Sequence, residues 1–145
     1  METQLVPARA LPVVADVDVL VVGGGPAGVG AAFAARRAGA SVLVIEQFNC
    51  LGGVATAGGH GHISVFCANG TDTRVVGGLA DDIARRLVDG GYGFRNAHGV
   101  WFEVEGLKRI LDDMAQAAGV RVLYYTQFCE SLVEDERITG VVIQN

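Results

Sequence analysis

The sequence predicts an α/β fold built on a parallel sheet, and three observations carry that expectation. Val17–Val22 (VDVLVV) and Ser41–Glu46 (SVLVIE) are short, β-branched and almost entirely apolar, the pattern of strands buried on both faces. Between them lies a stretch of small residues at helical spacing, which closes a βαβ unit. A third run, VRVLYYT at Val120–Thr126, follows an amphipathic helix and reads as another parallel strand.

In chain order, residues 1–15 carry Pro7 and Pro12 without a clear period and read as an arm, leaving 16–145 as the domain. After the first strand, GGGPAG (Gly23–Gly28) opens a helix that ends near Gly39, since glycine suits the left-handed position past a helix C-terminus. Gly28, Ala31, Ala32 and Ala35 fall on one thin face that can lie close to the sheet, and Arg36 and Arg37 read as the solvated side. The second strand ends in Glu46. From 51 to 101 the pattern weakens into a loop-rich insertion, broken by a helix at 79–89 with Leu79, Ile83 and Leu87 in register and Gly90 and Gly91 closing it. Arg85 and Arg86 read as its wet side. The next helix carries a stripe of Val104, Leu107, Leu111, Met114, Ala115 and Ala118, opposite Lys108, Asp112 and Gln116, and stops at Gly119. FCESLVEDERITGVVIQN after the third strand reads as two short antiparallel strands with a turn at Glu134–Arg137.

Composition narrows the function. The 145 residues include 21 glycines, about twice average usage, gathered in clusters where backbone comes close to something. A formal charge of −5 with one lysine, Lys108, argues against nucleic-acid binding, which needs clustered cations to neutralise phosphates. Cys50, Cys67 and Cys129 are widely spaced and show no metal-ligand pattern, so no metal is expected and a reducing, cytoplasmic setting fits. No apolar run approaches the ~20 residues of a membrane span, and the first residues lack a signal peptide's basic start, so no membrane partner is expected.

The chemistry lies in GxGxxG, satisfied by Gly23, Gly25 and Gly28. The spacing alone is weak in so glycine-rich a chain. Here it follows a buried strand, opens a helix, and has an acid, Glu46, 23 positions after Gly23, close to the ~20 of a dinucleotide-binding βαβ unit. The first glycine permits the tight turn, the second lets backbone approach a pyrophosphate, and the third removes a side chain where helix meets strand. Free N–H groups and roughly half a positive charge at the helix N-terminus hold the anion without any lysine. Glu46 would accept hydrogen bonds from ribose hydroxyls and disfavour a 2′-phosphate. A structural turn without ligand is the competing reading. The same fingerprint serves NAD as well as FAD.

The run DVLVVGGGPAGVGAAFAARRAGASVLVIEQ, with LGG at Leu51–Gly53 and the stretches to GVVIQ, resembles the N-terminal portion of FAD-dependent oxidoreductases of the glutathione-reductase type over residues 17–145. The resemblance is strongest to bacterial members that read ERxxxLGGxxT after the second strand. It implies a Rossmann-like three-layer domain that binds FAD through Gly23, Gly24, Gly25, Pro26, Ala27, Gly28, Glu46, Gln47, Gly52, Gly53 and, by backbone, Phe128 or its neighbour. It also implies hydride transfer from a small-molecule substrate to flavin. Gln47 stands where such proteins often carry arginine. The later Gly-Asp segment that closes such domains is not in this sequence, so a second polypeptide is expected to complete both the FAD-binding and the substrate domain. An independent FAD-binding protein, an NAD-binding subunit and a non-catalytic structural subunit that kept the fold are the rivals.

His60 and His62, in GGHGH after LGG, are the candidate catalytic residues, because histidine exchanges protons near neutral pH. A solvated glycine loop is the bland reading, and covalent attachment of flavin to either ring a remoter one. Cys50 precedes LGG, but only Cys67 is near enough in sequence to pair with it, so both read as bystander thiols. Trp101 and Phe102 read as core or interface. His98, Asp81 and Asp82 attract no role.

Overall fold

The computed structural model describes residues 2–4, 7–8, 10–64 and 66–145; Met1, Leu5, Val6 and Arg9 of the expected arm, and Val65 of the insertion, lie outside the described residues. Three parallel strands form the main sheet in the order β1 (Val19–Val22), β2 (Val42–Ile45) and β6 (Arg121–Leu123). Val19 pairs with Val42 and Val22 with Ile45, while Leu43 pairs with Arg121 and Ile45 with Leu123. β2 is the middle strand, and all four of its residues are buried. At the start of the sheet the Asp18 carboxylate accepts from Ser41 N (2.7 Å) and Ser41 Oγ (2.6 Å), and these hydrogen bonds hold its pKa below the usual carboxylate value.

β1 departs from expectation. Only Val21 is buried, and Val22 is 50% exposed, because among the described residues β1 has a sheet neighbour on one side alone. An edge strand has no second neighbour to cover it.

Helix α1 (Pro26–Arg37) ends one residue before Ala38, with Gly39 left-handed beyond it at φ 92°. Its buried stripe is Val29, Ala32 and Phe33, and Ala31 is exposed, so the helix is rotated from the predicted small-residue face. The cause is α3 (Val104–Ala118), which packs beside it. Arg36 is accordingly not a solvated residue: its Nε donates to Ala118 O (2.9 Å) and its Nη1 to Ala40 O (2.8 Å), tying the ends of the two helices together. Arg37 is exposed as expected.

Helix α2 (Leu79–Asp89) has the predicted bounds, with Leu87 and Ala84 fully buried against α3. Its Asp81 receives both Arg95 and Arg74, whose hydrogen bonds lower its pKa. α3 buries Leu107, Leu111, Met114 and Ala115 as predicted, together with Gly106 and Ile110. Gly106 is needed where Tyr92 crosses, since a Cβ there would lie 2.4 Å from the tyrosine ring.

The insertion contains more regular structure than its composition predicted. Strands β3 (His62–Ile63), β4 (Gly93–Asn96) and β5 (Gly99–Phe102) form a second, antiparallel sheet in the order β3-β5-β4. Asn96 pairs with Gly99 around a two-residue loop. β7 (Gln127–Glu134) and β8 (Arg137–Gln144) form the expected C-terminal hairpin, longer than predicted at eight residues each, with Asp135 and Glu136 left-handed at its tip. Leu132, Val133 and Ile138 are 48–69% exposed on it. Among the described residues, no helix is long and apolar enough to cross a membrane.

Leu87→Ala should lower stability by about 2–5 kcal/mol, because a fully enclosed side chain leaves a cavity, as read from urea unfolding.

Candidate dinucleotide site

The site is built where β1 gives way to α1. The last ladder bond runs from Gly23 N to Ile45 O (2.9 Å), and Gly23 then turns the chain with φ 98°. Gly25 is the helix N-cap, and no side chain hydrogen-bonds the cap. Pro26 has no N–H, so Ala27 and Gly28 carry the first free amides of the helix. The glycines divide the work. A Cβ at Gly23 or Gly25 would meet nothing within 4 Å, whereas one at Gly28 would lie 1.9 Å from Gly23 O. Gly28 therefore permits close packing, and Gly23 and Gly25 keep an open space in front of donors that need an acceptor.

Gly52 and Gly53 close one side of this mouth. Gly52 N donates to Gly24 O (2.8 Å), and a short 3-10 turn begins at Gly53. A Cβ on Gly53 would stand 2.9 Å from Gly25 Cα and 3.3 Å from Pro26 Cδ. Two glycine-rich segments, Gly23–Gly25 and Gly52–Gly53, thus meet backbone to backbone.

Glu46 has a part that its spacing did not reveal. It is 4% exposed; Oε2 accepts from Gly24 N (2.6 Å) and Oε1 from Phe48 N (2.8 Å). The carboxylate pins the glycine loop, and its remaining lone pairs are what a ribose could use. Beside it lies a cavity of about 390 Å³ at the carboxyl ends of all three parallel strands, lined by Val22, Gly23, Ile45, Glu46, Gln47, Thr126, Gln127 and Phe128. Such a position is where open α/β sheets bind ligands. Gln47 is exposed there and Phe128 is 46% exposed. Thr126, which the sequence reading does not single out, lies in the connection between β6 and β7 and is 2% exposed; a lone hydroxyl in such a connection gives little signal. Its Oγ1 donates to Tyr124 O (2.9 Å) and accepts from Asn145 Nδ2 (2.7 Å). Burial pushes the neighbouring Tyr124 phenol well up, aided by its hydrogen bond to Asp112.

His60 and His62 do not line this cavity. They stand where the insertion enters the second sheet, with ring centroids 6.2 Å apart. His62 stacks on Trp101 at 4.2 Å and an interplanar angle of 26°. Cys50 is buried with Sγ 3.6 Å from Thr56 Oγ1, Cys67 is half-buried and Cys129 exposed; all three are free thiols. Among the described residues, no cluster of three or more His, Cys, Asp or Glu side chains can hold a metal ion.

Comparison with known proteins decides the family. Residues 18–145 match the family described as FAD dependent oxidoreductase. The chain belongs to that family. FAD is the cofactor this assigns. Curated relatives include thiamine thiazole synthases from Aeropyrum pernix, 34% identical over 128 residues, and from Methanosarcina mazei, 33% identical over 132. These alignments cover 87% and 88% of this chain but 43% and 46% of the relatives, so the chain spans about half their length. Among solved structures, the THI4 of Thermovibrio ammonificans superposes with TM-score 0.56 at 21% identity, covering 88% of this chain and 47% of that one. The flavin-dependent brominase Bmp2 superposes with TM-score 0.60 at 17% identity, covering 89% of this chain and 34% of that one. At those identities the likeness concerns the fold, and the fold is the Rossmann-like arrangement that the βαβ unit predicted.

The cradle fits FAD. Its free amides and open space suit a diphosphate, and the strand-end cavity beside Glu46 suits the adenosine half. Gly25→Ala should leave the thermal midpoint within a few degrees of wild type, since its methyl enters open space, yet weaken FAD retention at least tenfold. Flavin absorbance after gel filtration reads the second quantity. Glu46→Gln sets an amide donor against a backbone N–H and should cost about 1–3 kcal/mol of stability without cofactor, measured by denaturant unfolding of the FAD-free protein.

Proposed function

We propose that this chain is the FAD-binding portion of a flavin-dependent oxidoreductase that a second polypeptide completes, and that the whole removes hydride from a small-molecule C–H bond next to oxygen or nitrogen. The observation that carries the reading is the uncapped, unobstructed N-terminus of α1, open at Gly23 and Gly25. When bound, the flavin supplies the two-electron acceptor. The chain's own residues bind and orient it. Ala27 and Gly28 amides would take the diphosphate, the spare lone pairs of Glu46 a ribose, and the backbone from Thr126 to Phe128 would flank the adenine end. Gly52 and Gly53 would keep side chains away from the diphosphate on the flavin side.

Two surfaces support completion by another polypeptide. Among the described residues β1 offers an unpaired edge with Val22 half exposed, and the β7–β8 hairpin shows apolar residues on a pair of strands that is marginal alone. Substrate selection is assigned to that partner. The free thiols favour a reducing, cytoplasmic setting. The identity to thiamine thiazole synthases favours a second reading, in which the completed protein makes the thiazole of thiamine.

Co-expression with the candidate partner should give a stable hetero-oligomer carrying one FAD per copy of this chain, while the chain alone retains less than about a tenth of that. A monomer fully loaded with flavin by itself would overturn the split. Growth of a thiazole-requiring strain carrying both chains would favour the second reading over the first.

A further inference from the structure

Of the two histidines, the geometry points to His62 as the proton acceptor, through Nδ1, with Trp101 as its positioning residue; this rests on the flavin-oxidoreductase reading above. The 3-10 turn at Gly53–Ala55 abuts the phosphate mouth through Gly53 and Gly25. The segment after it is wound tightly by backbone bonds: Gly58 N to Gly53 O (3.0 Å), His60 N to Val54 O (3.0 Å) and His62 N to His60 O (2.9 Å). It leads into β3, which begins at His62.

The ring itself is held from two sides. Nε2 lies 3.1 Å from the His98 carbonyl oxygen. A carbonyl only accepts, so Nε2 must carry the hydrogen, and in the neutral ring Nδ1 then holds the lone pair. Among the described residues no hydrogen bond occupies Nδ1. Trp101, opposite His62 in the β3–β5 register, stacks on the ring and sets its plane. His60 is exposed and makes no side-chain hydrogen bond among the described residues, so nothing fixes its tautomer or direction. Arg95 pairs with Val100, on the opposite face of the small sheet from Phe94 and Trp101, and is engaged with Asp81 and the Phe66 ring.

The O–H or N–H proton of the substrate moves to His62 Nδ1, giving an imidazolium. The adjacent C–H breaks and its hydrogen leaves with both electrons as hydride to oxidised flavin. The heteroatom's electron pair closes a C=O or C=N bond. The substrate is oxidised by two electrons and the flavin is reduced by two.

Two measurements test this. Ring-nitrogen NMR of the FAD-free chain at pH above 8 should show His62 with a protonated Nε2 and an unprotonated Nδ1; a protonated Nδ1 would overturn the assignment. In the assembled holoenzyme, anaerobic bleaching of flavin by a panel of small secondary alcohols and amines should slow at least a hundredfold in His62→Gln, as loss of a general base implies, with FAD occupancy unchanged. Trp101→Leu should slow it about tenfold and Trp101→Phe should restore it. Bleaching at the wild-type rate in His62→Gln, or loss of its FAD, would overturn the role. A wild-type assembly without FAD would instead sink the flavin reading and leave the nitrogen assignment standing.

Discussion

The structure depends on one unmet demand for hydrogen bonds. An α-helix leaves its first amides without partners, and most helices satisfy them with a serine, threonine or acid at the cap. Here α1 begins with glycine at the cap and proline at the first turn, so no side chain answers. The residues around that point keep side chains away from it. Glu46 draws Gly24 aside, Gly53 approaches Gly25 without a side chain, and Gly28 lets the helix sit against the turn it leaves. The chain bears net negative charge, yet the oriented backbone dipoles at this point suit an anion.

A second constraint is the sheet's asymmetry. β2 is covered on all sides, whereas β1 and the C-terminal hairpin keep apolar groups in water. Burial is thus concentrated in β2, α3 and the contact between α2 and α3. The cofactor cradle lies at the boundary between the well-covered part and the open part.

The sequence made the cradle legible because its requirements are local: a tight turn, a thin helix start and an acid at the next strand end each leave a residue signature. The βαβ unit, α2 and α3 were legible for the same reason, through strong periodicity. What stayed hidden was set by neighbours distant in sequence. The rotation of α1 follows from α3, and Arg36 is drawn inward by the carbonyl of Ala118, which no local pattern announces. Strands of two to four residues in the insertion were too short to show alternation. Thr126 and the pinning role of Glu46 appear only once strand ends converge.

Hydrogen exchange at the amides of Ala27 and Gly28, with and without FAD, reads whether the diphosphate rests on the start of α1. These two amides should gain at least tenfold protection on cofactor binding, while those in the middle of β2 change little. Protection that leaves both amides as they were, with FAD bound, would contradict that placement and put the diphosphate elsewhere.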